Sequence, residues 1–132
     1  MKQIKKVFLI DDDELYIFLL KMIIESTRLV DQIQIFENGQ DALEFIQNNV
    51  ENDECLPEII FLDIAMPVLD GWGFLEEYPL LKPHLKKRIE LFILSSSVSP
   101  HDLERAQKNI FVSDFIIKPM TKQRFISIIE QI

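Results

Sequence analysis

The chain has 132 residues, of which 48% are apolar, so it is long enough for one domain and too apolar for a disordered segment. Its formal net charge of −8 argues against direct binding to nucleic acid, which requires a basic face. A single cysteine, Cys55, excludes an intramolecular disulfide and favours a reducing compartment. The apolar runs are too short for a signal peptide core or a bilayer span, so we expect a soluble, cytoplasmic protein without membrane contact.

Strand-like and helical patterns alternate along the chain. Short apolar runs indicate buried strands, whereas the alternating second run indicates a strand that is less buried. In chain order, the predicted elements are strand Val7–Ile10, helix Glu14–Arg28, strand Gln32–Phe36, helix Asp41–Asn49, strand Glu58–Leu62, helix Trp72–Leu81, strand Ile89–Leu94, a helix that starts at Ser99, strand Phe115–Ile117 and helix Thr121–Ile132.

Five strand–helix units in strict alternation predict an α/β fold, with one parallel sheet covered by helices on both faces. At this length the common doubly wound strand order is 2-1-3-4-5. We therefore expect a flavodoxin-like, five-stranded sheet with five helices. Asp13, Ser99 and Thr121 are predicted helix N-caps because their side-chain oxygens can accept from the first turn. Asp70-Gly71 is predicted to make a turn and begin the third helix.

Polar side chains follow the predicted strands at the points where the strands end. They are Asp11-Asp12-Asp13 after the first strand, Asp63 after the third, Ser95 after the fourth and Lys118 after the fifth. In the order 2-1-3-4-5, strands 1, 3, 4 and 5 are contiguous, so these residues share one edge of the sheet. Asp63 is central among them, at the edge where open α/β sheets bind their ligands.

The charges at this edge constrain the chemistry. Carboxylates about 4 Å apart repel by about 4 kcal/mol per pair at an effective dielectric near 20, so several cannot stay ionised without a cation. Few carboxylates, waters and a phosphate oxygen are the usual ligands of Mg²⁺. The pattern therefore predicts Mg²⁺ held by Asp11 and Asp12, with Asp63 as a nucleophile that forms an aspartyl phosphate. Lys118 supplies a point charge for the phosphate, and Ser95 supplies a hydroxyl donor.

These residues resemble the receiver domain of two-component response regulators, of the single-domain, chemotaxis-regulator-like kind. The segments that carry the resemblance are Asp11-Asp12, Asp63-x-x-Met66-Pro67-x-x-Asp70-Gly71, Ser95 and Phe115-x-x-Lys118-Pro119. They occur in order at the strand ends, and the resemblance covers essentially the whole chain, residues 1–132.

The resemblance implies a role for each matching residue. Asp63 accepts a phosphoryl group from a sensor histidine kinase or a histidine phosphotransfer protein. Asp11, Asp12, Asp63 and the backbone carbonyl of Ala65 hold Mg²⁺, and Lys118 contacts the phosphoryl group. Ser95 and Phe115 form a switch pair, in which the hydroxyl moves to the phosphate and the ring follows inward.

The sequence departs from the commonest family pattern at the switch pair. Ser95 stands where threonine is commoner, and a serine is less restricted at χ1. Phe115 stands where tyrosine is also common, so its ring has no hydroxyl to hydrogen-bond. Ala65 and Ser97 occupy positions that tune the lifetime of the phosphoryl group in this family.

The first helix is apolar around nearly its whole circumference, although a helix on a sheet needs only one apolar stripe. A wide buried face with scattered exposed residues is the favoured interpretation. The alternative is a docking surface for a kinase or for a second copy in a homodimer, with Tyr16 and Leu20 among its exposed members.

The leading functional hypothesis is a phosphoacceptor signalling protein without enzymatic turnover of a substrate. Its output face would be helix 4, strand 5 and helix 5, read by an unknown protein partner, and no output domain is expected in this chain. A Mg²⁺-dependent aspartyl-phosphate phosphatase is the first alternative, but it usually carries a second aspartate where this chain has Ala65. A degenerate receiver that acts only as a binding module is the second.

Overall fold

The computed structural model describes residues 2–66, 68–96 and 99–132. Its strands are β1 (Ile4–Ile10), β2 (Val30–Phe36), β3 (Ile59–Asp63), β4 (Glu90–Ser95) and β5 (Asp114–Ile117). Its α-helices are α1 (Glu14–Thr27), α2 (Gly39–Asn48), α3 (Gly71–Leu81), α4 (Pro100–Lys108) and α5 (Lys122–Gln131), and short 3-10 turns lie at Asp53–Cys55 and Lys82–His84. Pro67 and Ser97, which contribute to the sequence interpretation, lie outside the described residues.

All neighbouring strands pair in parallel, and their order is β2-β1-β3-β4-β5. The predicted doubly wound fold is therefore confirmed. The central strand β3 is buried along its full length, whereas β2, at one edge, is only partly buried, as its alternating sequence predicts. The main differences in bounds are at β1 and β2, which begin earlier than predicted because their parallel pairing continues back to Ile4 and Val30.

Side-chain alternation along the strands divides the core into two layers. Val7 and Leu9 of β1 belong to the layer that α1 and α5 cover, and Phe8 and Ile10 belong to the layer under α2, α3 and α4. The strands β3 and β4 alternate in the same way. This division matters for the site, because a residue two positions beyond a core residue of a strand emerges on the same side of the sheet.

The helix N-caps follow the chemistry that the sequence predicts. The side chains of Asp13, Ser99 and Thr121 accept hydrogen bonds from the backbone N–H three residues on, and Asp70 does the same at the start of α3. Asn38 is a further N-cap, since its side chain accepts from the N–H of Asp41 at the start of α2.

The first helix buries a stripe and exposes another, and two of its residues correct the sequence interpretation. Leu20 is only 2% exposed and belongs to the core, and Tyr16 is half-buried, so neither is an exposed member of the helix. The exposed apolar residues are Leu15, Phe18, Leu19 and Met22. The helix is apolar nearly all round, so periodicity alone could not show which stripe faces the sheet. Across the described ranges, no helix has the length and hydropathy to cross a bilayer.

Candidate functional site

Three carboxylates meet at the carboxyl edge of the sheet. Asp11 and Asp12 follow β1, Asp63 ends β3, and these strands are hydrogen-bonded neighbours. One carboxylate oxygen from each of the three residues lies within 4.8 Å of the others. Asp11 and Asp63 are buried, whereas Asp12 is exposed to solvent. The cluster therefore has one open side, from which an ion and a phosphoryl donor can approach.

Lys118 reaches this cluster from the loop after β5. Its backbone N–H donates to the carbonyl of Ser95 at 2.8 Å, which fixes the loop to the end of β4. Its Nζ donates to Asp11 Oδ2 at 2.8 Å and lies 3.8 Å from Asp63 Oδ2. Lys118 is two residues beyond Ile116, a core residue of the α1 and α5 layer, so alternation carries its side chain to that side of the sheet.

Burial and like charge disfavour ionisation of the phosphoacceptor candidate. Burial is the larger cause and the neighbouring Asp11 carboxylate the next, and together they raise the pKa of Asp63 to about 6. Lys118 and the N–H of Ala65 oppose this effect without cancelling it. Burial would lower the pKa of Lys118, but its hydrogen bond to Asp11 and the nearby carboxylates outweigh burial and raise it. The lysine is thus a permanent cation, and it leaves the three carboxylates incompletely neutralised.

The ligand set at this edge suits a hard divalent cation. In the part of the chain that the structure describes, the clustered side-chain ligands are three carboxylates, which Mg²⁺ prefers, without the nitrogen or sulfur ligands that favour zinc. Lys118 contributes one positive charge against the three aspartates, so negative charge remains in excess. A divalent cation would reduce the repulsion between the carboxylates, which is one cause of the raised pKa of Asp63. The residues present therefore fit Mg²⁺.

Local hydrogen bonds hold the two buried aspartates in place. Asp11 Oδ1 accepts from the N–H of Asp13 at 3.0 Å, and Asp63 Oδ1 accepts from the N–H of Ala65 at 3.3 Å. Each carboxylate therefore keeps its second oxygen for the site.

Gly71 supports the segment that carries Asp63. Its N–H donates to the carbonyl of Ile64 at 3.2 Å, and its Cα packs directly against the backbone of residues 63 and 64. The sequence predicts only a turn and a helix start at Gly71. It does not indicate this close approach, because an Asp-Gly pair before a helix indicates a turn whether or not a second backbone segment lies against it.

The predicted switch pair lies on the opposite side of the sheet from Lys118. Ser95 is buried at the end of β4, and Phe115 is half-buried on β5, where it packs against the layer under α2, α3 and α4. In the strand register, Ser95 pairs with Ile117 and Phe115 pairs with Ile93, so the two lie diagonally on one face. The hydrogen bond from the backbone N–H of Lys118 to the carbonyl of Ser95 links this face of the sheet to the acidic cluster.

Tyr16 contacts the site, although its position in the sequence predicts an exposed residue of α1. Its ring centroid lies 4.2 Å from Lys118 Nζ, and its hydroxyl accepts from the N–H of Met120 at 3.2 Å. Partial burial raises the pKa of the Tyr16 hydroxyl. A tyrosine in a helix that is apolar nearly all round gives a weak sequence signal, because only the folded sheet brings the loop after β5 over α1.

Comparison with known proteins agrees with this geometry. The family profile of the response regulator receiver domain matches residues 7–130, so the chain belongs to that family. A two-component response regulator from Cytophaga hutchinsonii has a similar structure, with a TM-score of 0.84 and 30% identity over 98% of this chain and 97% of that one.

Two curated relatives differ in how much of their length the chain spans. The probable methanogenesis regulatory protein FilR2 of Methanothrix harundinacea is 25% identical over 96% of this chain and 79% of its own length. Protein-glutamate methylesterase/protein-glutamine glutaminase 1 of Syntrophomonas wolfei is 33% identical over 87% of this chain, but the match spans only 30% of that protein.

Proposed function

We propose that this receiver domain is a Mg²⁺-dependent phosphoacceptor in the cytoplasm, with Asp63 as the phosphorylated residue. The observation that carries the proposal is the position of the Asp63 carboxylate. It lies beside two further aspartates and 3.8 Å from the Lys118 ammonium, on the open edge of the sheet. Phosphoryl transfer requires a nucleophile, a metal site and a fixed positive charge close together. Asp63, the aspartate cluster and Lys118 would supply them.

Asp11, Asp12, Asp63 and the backbone carbonyl of Ala65 would hold the magnesium ion. When bound, Mg²⁺ neutralises the charge of the aspartates and of the phosphoryl oxygens, so that a dianionic group can approach a carboxylate. The chain contributes the placement of these oxygens and excludes water from the buried side of Asp63.

The transfer itself forms one bond and breaks one. An oxygen of Asp63 attacks phosphorus, and the phosphorus–nitrogen bond of the donor histidine breaks with its electron pair remaining on the ring nitrogen. Lys118 Nζ stabilises the oxygens of the transferring group from the side of Asp11. The donor histidine belongs to a sensor histidine kinase or a phosphotransfer protein.

Phosphorylation of Asp63 would then be sensed on the other side of the sheet. The Ser95 hydroxyl turns to the new phosphate and the half-buried Phe115 ring moves inward, which biases a two-state equilibrium of the surface formed by α4, β5 and α5. An output protein that recognises this surface completes the signal.

The phosphatase alternative is weaker at a specific position. Its general acid would stand two residues after the nucleophile, where this chain has Ala65. The methylesterase activity in the name of one relative is that of a protein of which this chain spans 30%, so it gives no reason to assign an esterase here.

A mass measurement tests the proposed phosphoacceptor. The protein is incubated with Mg²⁺ and acetyl phosphate, and we expect one phosphate on the wild type and none on Asp63→Asn. Asp70→Asn is the matched control, because it makes the same change at a helix N-cap where asparagine caps equally well, and it should keep the adduct. Repeated hydrolysis of phosphate esters would favour the phosphatase, and the lack of any adduct would favour the binding module.

We further propose that the exposed apolar residues of α1 contact the histidine donor. The helix begins directly after the Asp11-Asp12 pair, so its exposed stripe borders the open edge of the site. Phe18→Glu should lower transfer from the donor kinase at least tenfold, by placing a charge in the contact, while phosphorylation by acetyl phosphate stays unchanged. Leu80→Glu, on the exposed face of α3, is the control. The stripe would instead belong to a homodimer if the wild type self-associates, Phe18→Glu abolishes this self-association, and transfer from the kinase is unchanged.

A further inference from the structure

Three groups among the described residues contact the Lys118 ammonium, and one of them is not a carboxylate. Asp11 Oδ2 lies 2.8 Å from Lys118 Nζ, Asp63 Oδ2 lies 3.8 Å away, and the Tyr16 ring centroid lies 4.2 Å away. The face of an aromatic ring attracts a cation through its quadrupole, most strongly where water is partly excluded. Lys118 is largely buried, with 11% of its side chain exposed, so this attraction is not screened away.

Tyr16 is itself fixed at both ends. Its backbone N–H donates to the side chain of Asp13, the N-cap of α1, and the N–H of Asp13 donates to Asp11. Its hydroxyl accepts from the N–H of Met120, two residues beyond Lys118. The residue therefore joins the aspartate loop after β1 to the lysine loop after β5, and its ring lies between them.

These contacts make the ring more than a part of the core. A lysine ammonium on a flexible four-carbon stem can follow the nearest charge, which here is Asp11. A neutral, attractive surface on the α1 side limits how far the ammonium can move and keeps it within reach of the second carboxylate. We infer that Tyr16 is a positioning residue, which holds the Lys118 ammonium against Asp63 for phosphoryl transfer. This inference rests on the proposed function, and it names the residue that sets the geometry of the lysine.

A double-mutant cycle separates this role from general packing. Loss of the ring in Tyr16→Leu should slow phosphorylation by acetyl phosphate about five- to tenfold, in line with a partly desolvated cation–π contact. Tyr16→Phe keeps the ring and should recover most of the rate. A Lys118→Met background removes the cation and keeps an unbranched side chain, so Tyr16→Leu should there change the residual rate by less than about twofold because the two residues act as a unit.

Two further measurements test whether Tyr16→Leu slows phosphorylation only because it destabilises the fold. Ile24→Val removes packing from the buried stripe of the same helix, two turns beyond Tyr16, so it should lower stability and leave the phosphorylation rate unchanged. In NMR spectra, the ring current of Tyr16 should shift the ε-methylene protons of Lys118 upfield in the wild type and in Tyr16→Phe, and this shift should vanish in Tyr16→Leu.

The outcomes are distinguishable. An equal slowing by Tyr16→Leu in the wild-type and Lys118→Met backgrounds, a wild-type rate in Tyr16→Leu, or Lys118 protons without a ring-current shift would overturn the inference. A wild type that takes no phosphate refutes the proposed function instead, and the ring-current shift then still decides whether Tyr16 holds the lysine.

Discussion

Gly71→Ala should destabilise the fold by about 2–3 kcal/mol and displace the segment that carries Asp63. A methyl group at this position would lie 2.6 Å from the Cα of Ile64 and 2.7 Å from the carbonyl oxygen of Asp63. Both are backbone atoms of the loop that follows β3, so the overlap cannot be relieved by rotating a side chain. The loop or the start of α3 must move, and the hydrogen bond from Gly71 to Ile64 is strained with it.

Gly73→Ala is the matched control for this substitution. It lies in the same first turn of α3 and gains the same helix propensity. Its added methyl group would lie 2.5 Å from a terminal methyl of Leu69 and 3.1 Å from the Cγ of that residue, a half-buried side chain that can turn away, whereas Gly71 faces backbone. We expect Gly73→Ala to change the free energy of unfolding by less than about 0.5 kcal/mol. Urea titration measures both variants, and phosphorylation by acetyl phosphate should slow only in Gly71→Ala. Equal stability of the two variants would show that the loop yields without cost.

The sequence predicts those features of the fold that depend on local chemistry and on strand order. Apolar runs, the caps Asp13, Ser99 and Thr121, and the strict alternation of elements lead to the observed sheet. Once the strand order is given, polar residues at strand ends must meet at one edge, so Asp63 and Lys118 could be placed together before the structure. Their chemical roles remain predictions that the proposed experiments test.

The remaining features depend on contacts between segments far apart in the chain. The sequence wrongly predicts exposed positions for Leu20 and Tyr16, because nearly every position of α1 is apolar and periodicity has no polar face to contrast with. The contact of Tyr16 with Lys118 bridges about a hundred residues, and no local pattern encodes it. Gly71 is a similar case, since its small size is required by the backbone of another loop and not by its own turn.

Asp63→Asn should stabilise the protein in the absence of divalent cations, although it removes the proposed phosphoacceptor. The pKa of Asp63 is about 6 in the folded chain, against an ordinary value of 3.8, because burial and the charge of Asp11 disfavour the ionised form. Folding therefore favours the protonated carboxyl. The stability that this group contributes is present below about pH 4 and is lost as the pH rises through 6.

An asparagine stays neutral at every pH, so Asp63→Asn does not lose stability as the pH rises through 6. One pKa unit corresponds to about 1.4 kcal/mol, and a shift of about two units gives an advantage of about 2–3 kcal/mol to Asp63→Asn above pH 7. Below pH 4 the advantage should disappear. Urea titrations in EDTA at pH 4 and pH 7.5 measure the difference, and Asp70→Asn should stay within about 0.5 kcal/mol of the wild type at both.

Magnesium should reduce or reverse the stability advantage of Asp63→Asn over the wild type. A ligand that binds only the folded state stabilises it in proportion to the logarithm of its concentration, once that concentration exceeds Kd. Titration with Mg²⁺ at pH 7.5 should raise the stability of the wild type and of Asp70→Asn more than that of Asp63→Asn, which loses one of the three clustered carboxylates. A wild type that is as stable as Asp63→Asn in EDTA would mean that Lys118 already neutralises the cluster. Equal stabilisation of all three proteins by Mg²⁺ would place the ion elsewhere, and the proposed metal ligands would then be wrong.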